Sequence, residues 1–213
     1  MKNGFVFFVG IFAALGLSWA GIVLGSNSQV GGLTGYYDDS DGQSYPLRPS
    51  GEAAAGLLVY RDLGCASCHT QQVRRPGFGS DQARAWGERQ SVARDYIYQT
   101  AVQLGDFRYG PDLANLATRK PTAPDRESLM RLLYTGQGAM PAYSFLFETR
   151  KISGQASDLA LKLPAGLEPR KGRQVVPTAR AERLVAYLLS LGTAYDYPEA
   201  RPAPHAAKEG ADK

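Results

Sequence analysis

The chain has 213 residues, enough for one domain with appendages. Its net charge of +4 comes from scattered Lys and Arg rather than a basic stripe, so no nucleic-acid partner is expected. Two cysteines exclude a disulfide framework, and two histidines, His69 and His205, hold metal chemistry to a single centre.

The first element is the run Gly4–Gly25, GFVFFVGIFAALGLSWAGIVLG, which carries no charge. At about 1.5 Å per residue it reaches roughly 33 Å, the thickness of a bilayer core. A cleaved signal peptide has a shorter apolar stretch and a small-residue cleavage site. Residues 1–25 therefore read as a retained transmembrane anchor, making the chain membrane-integral. Lys2 ahead of the span favours a cytoplasmic N-terminus and an external remainder. Gly16-x-x-x-Ala20 and Gly21-x-x-x-Gly25 offer small residues to a neighbouring helix, although glycine is common in membrane helices anyway.

Residues 26–50, rich in Gly, Ser, Asp and Tyr, read as a linker. Asp39-Ser-Asp-Gly42 reads as a turn, because the glutamate a calcium loop needs is missing. A helix is expected over Glu52–Leu63, stopping at Gly64, and a short one around Ser91–Thr100. Arg126–Tyr134 should form another, with Asp125 as N-cap, Gly136 as stop, and Leu129, Leu132 and Leu133 toward a core. Ile152–Pro177, broken by prolines, reads as irregular. Ala179–Leu191 is the strongest amphipathic helix, and residues 193–213 read as a disordered tail. The fold class is mainly α: one N-terminal transmembrane helix and a helical domain over residues 51–192.

Cys65-Ala-Ser-Cys68-His69 is the C-x-x-C-H signature of covalent haem attachment. Thiols about one helical turn apart can add to two vinyl groups of one porphyrin, and the following histidine then lies under the iron. A redox dithiol does not need that histidine and usually sits in a βαβ setting. Two cysteines and one histidine could hold zinc only at an open site. The cofactor expected is one covalent haem c with His69 as an axial ligand.

For the other axial ligand, His205 lies in the expected tail and Met130 inside a core-facing helix. Met140, in the loop Gly136-Gln-Gly-Ala-Met-Pro141, is the assigned ligand: the glycines permit close approach to a flat ring and the proline fixes the chain after it. Haem propionates need cations, and Arg74 and Arg75 are the nearest arginines in sequence to the haem motif.

The order of elements resembles class I cytochrome c: a helix leading into CASCH, then Gly110-Pro111-Asp112-Leu113, a helix, the Met140 loop and a closing helix. The resemblance covers about Gly51 to Leu191. It implies that the Pro111 carbonyl accepts the other imidazole N–H of the proximal histidine, fixing the ring and raising its basicity.

A closer resemblance lies in CASCHTQQVRRPGF, RYGPDL and AMPAYSFL. These are similar to segments of the mono-haem membrane-anchored subunit II of cbb-type haem–copper oxidases. That resemblance implies an electron-transfer role, with a polytopic haem–copper catalytic subunit and other cytochrome subunits as partners. It also implies the bacterial inner membrane, with the haem domain on the periplasmic side. The chain is not catalytic by itself on this reading. Two alternatives share the anchor-plus-haem plan: the small cytochrome subunit of a nitric oxide reductase, and a free-standing tethered electron carrier.

Overall fold

The structure, a computed structural model, describes residues 3–192 and 195–201. Lys2, His205 and most of the expected tail lie outside the described residues.

Helix α1 (Gly4–Trp19) passes through a π-helical turn, Ala20–Leu24, into α2 (Gly25–Val30). Together they make one helix of 27 residues, long and apolar enough to cross a membrane, and none of it is buried against the rest of the chain. At about 1.5 Å per residue its length is roughly 40 Å, so it runs past a bilayer core of about 30 Å.

The stretch expected as a linker holds more structure than its composition suggested. Strands β1 (Tyr36–Asp38) and β2 (Gln43–Tyr45) pair antiparallel, with Tyr36 opposite Tyr45. Their turn is the Asp39–Gly42 segment. There Asp38 and Asp41 carboxylates accept from the amides of Ser40 and Gln43 at 2.8 and 2.9 Å, and Gly42 takes φ +69.

Helix α3 (Gly51–Asp62) is capped by the Ser50 hydroxyl, which accepts from the Ala53 amide at 3.2 Å. It ends before Gly64, whose φ of +68 reverses the chain into Cys65. Helix α4 (Arg126–Thr135) is capped by Asp125, which accepts from the Ser128 amide at 2.7 Å, and ends at Gly136. Helix α5 (Ala179–Leu189) is capped by Thr178.

The helical pair that organises the domain is α3 on α5. They approach closely at Gly56, where a Cβ would collide with the Arg183 carbonyl and the Tyr187 side chain. Met130, Leu133, Leu146, Leu184 and Val185 are buried between the helices, each contributing about 1.5–3 kcal/mol of burial.

Two expected elements differ. Ser91–Thr100 forms only a 3-10 turn, Ala93–Tyr96. The Asp95 carboxylate accepts from the Val92 amide and pairs with Arg89 at 2.6 Å, and these bonds pull the backbone into a turn rather than a longer helix. The irregular stretch Ile152–Pro177 supplies a strand. Strand β3 (Phe147–Lys151) pairs antiparallel with β4 (Arg173–Pro177), with Phe147 opposite Pro177 and Lys151 opposite Arg173. Pro177 sits at the strand end, where its missing N–H breaks nothing.

Part of the expected tail is also packed. Tyr197 is 1 % exposed and Ala200 is buried. Tyr195 stacks on Tyr45 with ring centroids 4.5 Å apart, and Tyr36 meets both Tyr195 and Tyr197. Arg94 donates to Glu199 and to the Thr34 carbonyl. This clasp ties the β1–β2 hairpin to the C-terminal segment.

Candidate cofactor site

A cavity of about 770 Å³ opens between α4, α5 and the cysteine motif. That is the size of a pocket for a cofactor-sized ligand. Its walls are mostly apolar, with Leu129, Leu133, Leu184 and Leu188 among them, and Cys65, Cys68, His69 and Met140 all line it.

The motif enters the cavity as a 3-10 turn, Cys65–Ser67, with the His69 amide donating to the Cys65 carbonyl at 3.0 Å. Burial pushes the Cys65 thiol up to about 11, only partly offset by hydrogen bonds to its own backbone and to Tyr143. A redox dithiol needs a thiolate near neutral pH, so this environment speaks against thioredoxin-type chemistry.

His69 is oriented by three neighbours. Its Nδ1 lies 2.9 Å from the Pro111 carbonyl oxygen. A carbonyl can only accept, so Nδ1 carries the proton and Nε2 is left with its lone pair free. Gly110 lies flat against the ring, and a Cβ there would occupy the space of the imidazole itself. The Tyr60 hydroxyl donates to the His69 carbonyl at 2.9 Å.

Met140 is presented by a tight turn. The Gln137 amide donates to the Met140 carbonyl at 3.1 Å, and the Met140 amide returns the bond at 2.9 Å. Gly136 and Gly138 both take positive φ to make that turn, and Pro141 follows. Met130 points elsewhere, 1 % exposed in the core and outside the cavity lining. The structure thus brings Cys65, Cys68, His69, Pro111 and Met140 to one cavity.

It does not bring Arg74 or Arg75 there. Arg74 is held by Asp81 through a 2.6 Å ion pair, and Arg75 stacks on Phe78 with its guanidinium carbon 3.7 Å from the ring centre. Proximity in sequence was a poor guide, because the chain turns away after Gln72. The arginines that line the cavity are Arg119 and Arg131. Arg119 donates to the Asp112 carbonyl, while its buried Nε has no partner among the described residues. Burial lowers its pKa. A half-buried guanidinium at a cavity wall is suited to an anionic group of whatever occupies the cavity. Tyr143, within hydrogen-bond reach of Cys65, is a second lining residue the sequence did not single out.

These residues fit a haem. The cavity is mostly apolar and cofactor-sized, two cysteines, a histidine and a methionine line it, and Arg119 at its wall keeps an Nε without a partner among the described residues. The family model for cytochrome c oxidase, mono-heme subunit/FixO, matches residues 48–165, more than half of the chain. The chain belongs to this family. No curated protein matches the chain as a relative. As a FixO-family protein it is a mono-haem cytochrome c subunit of a cytochrome c oxidase. The matched region contains both cysteines, His69, Pro111, Arg119 and Met140.

Proposed function

We propose that this FixO-family chain relays single electrons within a cbb-type oxidase complex, delivering them to the polytopic haem–copper catalytic subunit. The observation that carries this is the convergence of Cys65, Cys68, His69 and Met140 on one apolar cavity. When bound, the haem supplies a one-electron redox centre.

The residues divide the work of holding it. Cys65 and Cys68 would anchor the ring covalently as thioethers. His69, with Nδ1–H donated to Pro111, would offer Nε2 to the iron; that hydrogen bond strengthens the imidazole as a donor. Met140 would offer its thioether as the second ligand, and a sulfur ligand favours the reduced state relative to a second nitrogen, which suits the oxidising end of a respiratory chain. Arg119 and Arg131, which line the cavity, would meet the propionates in place of Arg74 and Arg75. The leucines of α4 and α5 exclude water and so hold the potential up.

The Gly4–Val30 helix anchors the chain in the bacterial inner membrane, with the haem domain on the periplasmic face, where such haems are attached in bacteria. The oxidase family match favours this assembly over a nitric oxide reductase or a free carrier.

Co-purification in mild detergent tests the reading. A polytopic subunit carrying haems and copper is expected. A polytopic partner with haem and non-haem iron would replace the oxidase with the reductase, and the absence of any partner would leave a tethered carrier.

A further inference from the structure

His69 and Pro111 sit on two segments far apart in sequence, and something must hold those segments in register. Two backbone bonds contribute: the Gly110 amide to the Cys68 carbonyl at 3.0 Å, and the Leu113 amide to the Thr70 carbonyl at 2.9 Å. The side chain of Asp112 adds a third tie of a different kind. One carboxylate oxygen accepts from the Gln72 amide at 2.9 Å, reaching across to the histidine segment. The other accepts from the Ala114 amide at 2.8 Å, folding its own segment into a turn.

This carboxylate is fully buried, with none of its side chain exposed. Arg108 stands 3.6 Å away, and Arg108 and Arg74 both pair with the neighbouring buried Asp81. A buried charge is costly to maintain. An asparagine would fill the same volume without charge, but it could accept one amide and would turn two hydrogens toward the other. Only a carboxylate accepts both.

We propose that Asp112 is the positioning residue of the proximal ligand: its buried carboxylate clamps the His69 segment to the Pro111 segment and so holds the imidazole N–H on its acceptor. This rests on the haem ligation proposed above. Asp112 does not line the cavity; it acts through Pro111.

The chain contains two histidines, so ¹⁵N-histidine labelling of the full-length ferrous protein in detergent gives a readable signal for His69. The measurement is solvent exchange of its Nδ1 proton. Asp112→Asn breaks the clamp and removes the charge, and Asp112→Glu keeps the charge but displaces the clamp. Both should speed exchange about tenfold, the equivalent of one hydrogen bond lost. Asp81→Asn removes a buried charge from the same cluster without touching the clamp, and should stay within about twofold of the native rate. Asp112→Glu should also move the haem midpoint potential upward although it changes no charge, because the imidazole becomes a weaker donor. Native exchange rates in both Asp112 variants would overturn the proposal, as would equal acceleration in Asp81→Asn. A native protein with no protected Nδ1 proton would overturn the ligation reading, and this proposal with it.

Discussion

His69 Nδ1 and the Pro111 carbonyl oxygen lie 2.9 Å apart although 42 positions separate them in the chain. That contact fixes the tautomer, leaves Nε2 without a proton, and links the cysteine motif to the Gly110–Leu113 segment.

Gly110→Ala should disrupt the proximal side, because the new methyl group would claim the space of the imidazole. Overpacking of this kind costs about 1–3 kcal/mol even where the surroundings give way. The expected outcome is a haem still attached through cysteine but with a displaced histidine, read as loss of the low-spin absorption spectrum.

Met140→Ala should leave haem attached, since Cys65, Cys68 and His69 do not depend on it. The weak sulfur–iron absorption band of the ferric protein should vanish and the potential should fall. Met130→Ala is the matched control: it should cost about 2–5 kcal/mol of stability from the core cavity it leaves, with the band intact. The reverse pattern would place the ligand on α4 instead of the loop.

Arg119→Gln should lower the haem potential, because removing a cation beside the cavity makes the oxidised, more positive centre easier to hold. Arg74→Gln should leave the potential closer to native and act on stability through the lost pair with Asp81. Redox titration of the two variants side by side, with a melting curve for each, separates the roles.

The buried carboxylates predict two pH dependences of opposite sign. Burial raises the pKa of Asp112, more than its amide bonds lower it. Its contribution to stability is therefore full below the ordinary aspartate value of 3.8 and is lost as pH rises through the higher folded value. For Asp81, burial also pushes upward, but its bonds to Arg74 and the charge of Arg108 outweigh it, so the net shift is downward. Its contribution is present above 3.8 and is lost as pH falls through the lower folded value. Denaturant unfolding from acid to neutral pH should show a flatter acid limb in Asp81→Asn and a flatter upper limb in Asp112→Asn.

The parts of this site that were legible in the sequence are those where chemistry and local spacing coincide. Cys65, Cys68 and His69 form one turn, and Met140 stood out because its loop has the glycines that a tight turn needs. The cap of α4 at Asp125 was legible in the sequence, while those of α3 and α5, Ser50 and Thr178, emerged only with the fold. What the sequence hid depends on long-range pairing. The β3–β4 hairpin joins residues across a proline-rich excursion, so neither strand shows a turn signal at the right distance. Arg119 was one arginine among many, and only the fold turns it to the cavity while drawing Arg74 to Asp81.

The clasp of Tyr36 and Tyr45 with Tyr195 and Tyr197 also sets an order of events in biogenesis. These contacts span most of the domain, as does the packing of α3 on α5, and closing such long loops is a late and slow step of folding. The clasp cannot form until Tyr197 has been made, nor the helix pair until α5 has been made through Leu189. The cysteine motif, close behind the anchor, emerges far earlier. Under the proposed covalent attachment, the thiols of Cys65 and Cys68 would be reachable on an open chain, before either of these contacts closes.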